Sequence, residues 1–425
     1  MAFGCFGQPG RGQKAASPSL AAWHFCRISD CAEVRSGGTP ATGNPRFWNG
    51  GIPWVTPSEI ANTGKYLEKT VSTISKEGLD NSSAELLPAN TVIMCSRATI
   101  GPRAILKVPM TTNQGFKNFI CKENLDPEFW YYYLDVVIPA FLSCASGNTF
   151  KEVSKRDVEQ TSVRLPPLVE QRRITAILSA CDRVVESKQK LLEEKKRQKR
   201  ALMRMLMEPE GGDAAFSRVG RTRPEGRITR KMRPLGSFLD FKNGINAPKE
   251  QFGSGIKLIS VREVLDELPI CYNSIRASVD VPEKTIKAYS VEFGDILIQR
   301  SSESAQEAGS CNVYLDTKPA VFGGFVIRGK KKADYNPVFF KSLLQSQFVR
   351  RQIVGRAAGA QHFNVGQEDL ESIIIPVFRK EEQDRIATIF TAADREIDGL
   401  AREINAWKEK RKALSQLLLS GKVRV

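Results

Sequence analysis

The sequence predicts an α/β protein written twice: two homologous α/β heads, each followed by a long helix, with the two helices pairing against one another. Three observations carry this prediction. Residues 170–182 (EQRRITAILSACD) return at 382–394 (EQDRIATIFTAAD), and the offset of 212 residues holds without a gap through Ala201/Ala413, Leu202/Leu414 and Leu206/Leu418. Within those segments apolar residues recur at alternating steps of four and three, the spacing of a helix that seeks a partner helix. Ahead of them lie short apolar runs that follow turn residues, such as 91–94 (TVIM) and 296–298 (ILI), which suit strands.

The elements follow in order. Residues 1–19 read as a loose cytosolic tail, because Arg11 and Lys14 precede no apolar core of signal-peptide length. Residues 20–168 make the first head, with a helix expected over 127–143. Residues 169–208 make the first long helix, with Ile174, Leu178, Cys181, Val185, Leu192, Leu202 and Leu206 along its seam. Lys188, Lys195 and Lys199 interrupt that seam and read as a solvated face. Glu208-Pro209-Glu210-Gly211-Gly212 breaks the helix, and 209–232 is a basic linker.

Residues 233–378 repeat the head, with helix expected over 337–354. Gly147 aligns with Gly359 and Asp157 with Asp369 at the same offset of 212, and Asp126-Pro127-x-Phe129 aligns with Asn336-Pro337-x-Phe339 at 210. Residues 379–421 make the second long helix. Its seam runs Ile386, Phe390, Ala393, Ile397, Leu400, Ile404, Trp407, Leu414 and Leu418, broken only by Arg411. Neither seam is complete alone. The simplest partner for each helix is the other, parallel or antiparallel; the alternative is that each packs on its own head.

Composition narrows the function classes. The 425 residues are 41% hydrophobic and 26% charged, an ordinary globular balance, and no apolar run approaches the ~18 residues of a membrane span. The net charge of +16 favours a polyanionic partner such as DNA. Nine cysteines, odd in number and never spaced CxxC, argue against a zinc ribbon or disulfide framework and for a reducing cytosol. His24 and His362 are poor material for a triad or metal cage. Gly7 and Gly12 stand at P-loop spacing, but Gln13 occupies the place of the required lysine. There is no GxGxxG opening a helix, no HExxH, no Asn-Pro-Pro-Tyr-type motif of amino-methyltransferases and no acidic-lysine nuclease cluster. The expected picture is a DNA binder with no reaction centre of its own and no cofactor or metal.

Several stretches resemble the specificity subunits of type I restriction-modification systems. These are Gly37-Gly38-Thr39-Pro40, Phe47-Trp48-x-Gly50-Gly51-Ile52-Pro53-Trp54-Val55-Thr56, Ser96-Arg97-Ala98-Thr99-Ile100-Gly101 and Thr112-Asn113-Gln114-Gly115-Phe116. The most specific is Leu165-Pro166-Pro167-Leu168 followed by Glu170-Gln171 and Ile174, a junction found again at the second helix start. The resemblance covers about residues 23–420. The second copy departs at Val321-Phe322-Gly323-Gly324-Phe325 and at Ile375-Pro376-Val377-Phe378, which stands two residues further from Glu382-Gln383.

The resemblance implies two target-recognition domains, each reading its own half of a bipartite duplex site through the major groove, where all four base pairs differ. It implies that the two helices pair as an antiparallel coiled coil and set the gap between half-sites. It also implies partners: double-stranded DNA, methyltransferase subunits (two of them) that bring S-adenosylmethionine and flip out an adenine, and restriction translocase-nuclease subunits that use ATP and Mg. Other readings are a specificity subunit for a fused methyltransferase-nuclease, or a DNA-binding structural or regulatory protein without such a partner.

Candidate contacts follow from side-chain chemistry. Asn113 and Gln114 are amides able to bond adenine edges or phosphates, with Thr112 beside them. Ser96, Arg97 and Thr99 follow a strand-like run and suit phosphates. Asn148 and Lys151 lie in a loop after Gly147, and Gln361 and Asn364 occupy the corresponding loop 359–364. Trp54 and Phe116 are expected in the core.

Overall fold

Both long helices start where a proline-containing junction delivers the chain into an acidic first turn. Leu168–Met207 follows Pro166-Pro167 and carries Glu170; Lys380–Leu419 follows Pro376 and carries Glu381 and Glu382. Carboxylates there oppose the positive end of the helix dipole. Each helix has 40 residues, about 60 Å at 1.5 Å per residue. The second stops at Gly421, whose φ of +71° suits glycine and whose N–H donates to Leu418 O at 3.2 Å.

The computed structural model describes residues 22–61, 63–145, 152–207, 231–359 and 362–425. They form two compact units, and each takes part of both long helices. The first runs to Glu186 and resumes with Asn405–Val425; the second is Ser187–Ile404. The heads read from sequence, 20–168 and 233–378, are thus each extended by segments of both helices. Apolar seam residues near the helix ends bury in the cores rather than against a helix alone.

In the first unit a five-stranded sheet runs in the order Ala32–Ser36, Phe116–Cys121, Val92–Cys95, Arg103–Leu106, Tyr66–Leu67, antiparallel except for the last pair. Beside it lie Ser72–Ile74, Trp48–Val55 and Thr111–Thr112, with a bulge between Trp48 and Ile52. His24–Arg27 pairs antiparallel with Ser162–Leu165. The helix Pro127–Cys144 begins at an Asp126 side-chain cap with proline in its first turn. It sends Phe129, Trp130 and Tyr132 into a core that also takes Ile174 and Leu178 of the first long helix and Leu418 and Leu419 of the second.

Two polar clasps close this unit. Gln171, fully buried, donates to Pro166 O (2.9 Å) and Asn124 O (3.0 Å) and accepts from Asp126 N–H at 2.8 Å. Glu170 receives Arg424 through Nε at 2.6 Å and Nη2 at 2.7 Å, with Trp23 Nε1 at 3.3 Å. Burial alone would raise the Glu170 pKa, but hydrogen bonds from Arg424 and Trp23 hold it below the usual carboxylate range.

The second unit repeats the plan. Its sheet runs Leu239–Asn243, Val326–Lys331, Ile296–Gln299, Cys311–Val313, and Phe252–Ile259 again carries a bulge, between Phe252 and Ile256. Phe252–Ile259 pairs antiparallel with Ala277–Val279 and parallel with Val321–Phe322. The helix expected over 337–354 is two helices, Pro337–Leu344 and Gln347–Val354. Gln383 reproduces the Gln171 clasp, donating to Phe378 O at 3.0 Å and accepting from Asn336 N–H at 2.9 Å.

The helix segments within each unit run antiparallel. In the first unit Arg411, the residue that breaks the apolar series, meets Asp182 at 3.1 Å. In the second, Lys188 pairs with Glu403, Lys195 with Glu396 at 2.7 Å and Lys199 with Asp394. The three lysines are therefore not a solvated face. Their side chains are 19–28% exposed and answer acids on the opposing helix. Asp182 and Asp394 occupy equivalent repeat positions, as do Arg411 and Lys199, so one ion pair is made twice. Among the described residues no helix is long and apolar enough to cross a membrane, no disulfide forms, and no cluster could hold a metal ion.

Candidate nucleic-acid interface

Backbone hydrogen bonds gather five distant segments of the first unit at one end of its strands. Gly38 N–H donates to Thr112 O at 2.9 Å, Asn113 N–H to Val55 O at 3.0 Å, Ser96 N–H to Gly115 O at 2.8 Å and Val153 N–H to Ser96 O at 3.1 Å. The first of these contacts requires glycine nearby: a Cβ on Gly37 would sit 2.0 Å from Asn113 O. Trp54 is buried as expected, its Nε1 donating to Gly38 O at 2.9 Å, and Phe116 is fully buried in a separate core cluster.

The segments present a limited set of side chains. Asn113 is half-buried and Gln114 exposed. Asn113 Oδ1 accepts from Gly115 N–H at 2.8 Å, and Gln114 Oε1 accepts from Thr39 Oγ1. Both amide oxygens are thus engaged, and the NH2 groups are what can meet a ligand. Arg97 and Thr99 are exposed on a tight three-residue turn closed by Thr99 N–H to Arg97 O at 2.8 Å, with Ala98 at φ +62°.

Ser96 and Thr112 are instead fully buried. Ser96 Oγ donates to Gly115 O at 3.2 Å, and Thr112 Oγ1 accepts from Asn118 Nδ2 at 2.9 Å. Their side chains brace the end of the sheet rather than face solvent, because both sit where the strands are covered on both sides. Asn148, Lys151 and Gln361 lie outside the described residues.

Two residues escaped the sequence reading. Glu152 stands between two cations, its Oε1 3.6 Å from Lys117 Nζ and its Oε2 3.9 Å from Arg97 Nε. Lys117 is buried, and desolvation lowers its pKa against the pull of Glu152. The repeat offset carries 152 onto 364, so Asn364 pointed to Glu152 all along.

The second unit has the same frame with other side chains. Ile245 N–H donates to Phe322 O at 2.9 Å, Gly323 N–H to Ile259 O at 3.0 Å, Arg300 N–H to Phe325 O at 2.8 Å and Val365 N–H to Arg300 O at 3.0 Å. Gly323-Gly324 replaces Asn113-Gln114. A Cβ on Gly324 would lie 1.7 Å from Asn246 Oδ1, so the amide now comes from the opposing segment. Ser301 Oγ donates to Asn364 Oδ1, and Asn364 is exposed. The loop from 299 to 309 is longer than its counterpart from 95 to 101. Arg350 Nη2 braces it, donating to Gln306 O at 2.7 Å and Ala308 O at 2.8 Å.

The family described as Type I restriction modification DNA specificity domain matches this chain twice, over residues 21–197 and 231–407. The chain is 29% identical to the Type I restriction enzyme MjaIX specificity subunit of Methanocaldococcus jannaschii, over 67% of this chain and 68% of that protein. It is 23% identical to the MjaVIII specificity subunit of the same organism, over 95% and 93%. In fold it is similar to the crystal structure of the type I restriction-modification S subunit from M. genitalium, with a TM-score of 0.54 at 15% identity, covering 95% of this chain and 97% of that one.

Proposed function

Because the chain belongs to the type I restriction-modification DNA specificity family, we propose that the gathered segment ends of its two units each read one half of a bipartite duplex DNA site. The observation that carries this reading is the doubled frame: the same hydrogen bonds hold different side chains in the two units. In the first unit the NH2 groups of Asn113 and Gln114 donate to base or phosphate acceptors. Their oxygens are already bonded within the protein, so guanine O6 and N7, adenine N7 or phosphate oxygens suit them better than the two-way pairing an adenine edge would offer a free amide. Arg97 and Thr99 contact phosphate, and Asn364 with Ser301 serves the second unit. Asn148, Lys151 and Gln361 are further DNA contacts in this reading, on the chemistry of their side chains alone.

The chain acts as a cytoplasmic, non-catalytic guide. Two methyltransferase subunits bind it and bring S-adenosylmethionine, and restriction subunits bring ATP and Mg. The purified chain alone should show no methylation or cleavage. With a methyltransferase subunit and S-adenosylmethionine it should direct adenine methylation to one bipartite sequence. Robust methylation by the contaminant-free chain alone would overturn the non-catalytic role.

A further inference from the structure

We infer that Phe325 is a specificity-determining residue of the second unit, reading the methyl group of a thymine by apolar contact where the first unit uses amide donors. The inference rests on the DNA-reading function proposed above and names the chemistry at one of its two surfaces.

Phe325 sits in the turn that corresponds to Asn113-Gln114-Gly115. The match is fixed by hydrogen bonds rather than by sequence, since Arg300 N–H reaches Phe325 O at 2.8 Å as Ser96 N–H reaches Gly115 O at 2.8 Å. Its neighbours Phe322 and Val326 are fully buried, whereas Phe325 is 69% exposed. The turn holds the ring away from the core: Phe325 lies just before the strand Val326–Lys331, whose first four residues are all buried, and Gly323 and Gly324 before it offer no side chain to cover it. Hydrogen-bonding groups stand around it on the segments it is tied to, with the exposed amide of Asn364 bonded to Ser301 next to Arg300.

A phenyl ring offers no hydrogen bond, so it gains from burial only against an apolar surface. In the major groove that surface is the C5 methyl of thymine. In the first unit the corresponding position is Gly115, where a Cβ would come within 3.1 Å of Asn113 Oδ1. The amide donors and the aromatic ring are thus alternative occupants of one turn.

The test uses the full chain assembled with its methyltransferase subunits, after methylome mapping has given the recognised sequence. Each thymine of the second half is replaced in turn by deoxyuridine, which removes only the methyl, and binding is measured for wild type and Phe325→Ala. One replacement should weaken wild-type binding roughly 3- to 10-fold and leave Phe325→Ala unaffected, while replacements in the first half act equally on both proteins. Phe325→Ala should keep the wild-type melting temperature, because the ring is exposed. The inference falls if every replacement acts equally on both proteins, if Phe325→Ala binds with wild-type selectivity, or if the second half contains no A·T pair. In each of those outcomes the second unit still discriminates sequence. Only if exchange of residues 233–378 leaves the recognised sequence unchanged does the DNA-reading function itself fail.

Discussion

The two units keep their frames and exchange their surfaces. Thr56 and Glu59 form a capping box after the bulged strand of the first unit, and Ser260 and Glu263 form the same box in the second. Gln171 and Gln383 clasp equivalent helix starts. At the strand ends, by contrast, Asn113-Gln114-Gly115 corresponds to Gly323-Gly324-Phe325, Arg97 to Ser301, and Glu152 to Asn364. Conserving main-chain hydrogen bonds while replacing exposed side chains lets recognition change without a new fold. The clasp glutamines are buried, whereas Arg97, Gln114, Phe325 and Asn364 are exposed.

That division can be broken most severely by exchanging residues 20–168 for the corresponding segment of another family member. The first half of the methylated sequence should change completely and the second half should persist. A change in both halves would mean that the units do not read independently.

Loss of a clasp comes next. Gln171→Leu orphans the buried Pro166 carbonyl, at about 1–3 kcal/mol for a buried group left unpaired, and removes the partner of the part-buried Asp126 N–H and of the Asn124 carbonyl. Gln383 has fewer bonds to lose, so Gln383→Leu should destabilise less. Denaturant unfolding of the two variants checks the order, and equal losses would remove the distinction.

Asn113→Ala should cost about 0.5–1.5 kcal/mol of discrimination in the first half-site only, the net contribution of a single hydrogen bond. Asn113→Asp keeps the oxygen that accepts from Gly115 but replaces the donors with charge, and should bind DNA more weakly still. Competition binding with half-site variants measures both. Wild-type selectivity in the two mutants would return Asn113 to a purely local role in its turn.

The smallest effect concerns Lys341, buried where the first unit has Tyr131. Burial holds its pKa down to about 8 from 10.5, with Asp394 opposing the shift, and its Nζ donates to Glu267 O at 2.6 Å. Above about pH 8 the folded chain has released this proton while the unfolded chain still binds it, so stability should rise with pH up to about 10.5. Lys341→Met lacks that gain. Melting curves of both proteins between pH 7 and 10 should separate in favour of wild type as pH rises, and parallel curves would refute the assignment.

Much of this was legible in the sequence because periodicity reports which face is buried. Both long helices and the strands at 92–95 and 296–299 follow from it, while the repeat follows from residues matched at a fixed offset. Periodicity does not report what covers a face. Lys188, Lys195 and Lys199 looked solvated because their acids lie some 200 residues away in sequence. Ser96 and Thr112 looked available because small hydroxyl residues suit strand ends as well as surfaces. The Glu152–Lys117 pair joins residues whose proximity only strand pairing creates.

The mixed make-up of the first unit has a consequence for biosynthesis. Its core is covered in part by Leu418 and Leu419, and its buried Glu170 is met by Arg424. The ribosome makes residues 23–186 first and supplies those partners only after 187–404. At roughly 5–20 residues per second that delay is about 10 to 45 s, far longer than the collapse of a nascent chain. The second unit is continuous and can close as it emerges. The first must wait with Ile174 and Leu178 short of their covering, a natural client for chaperones. A chain cut short before residue 405 would carry that apolar patch uncovered.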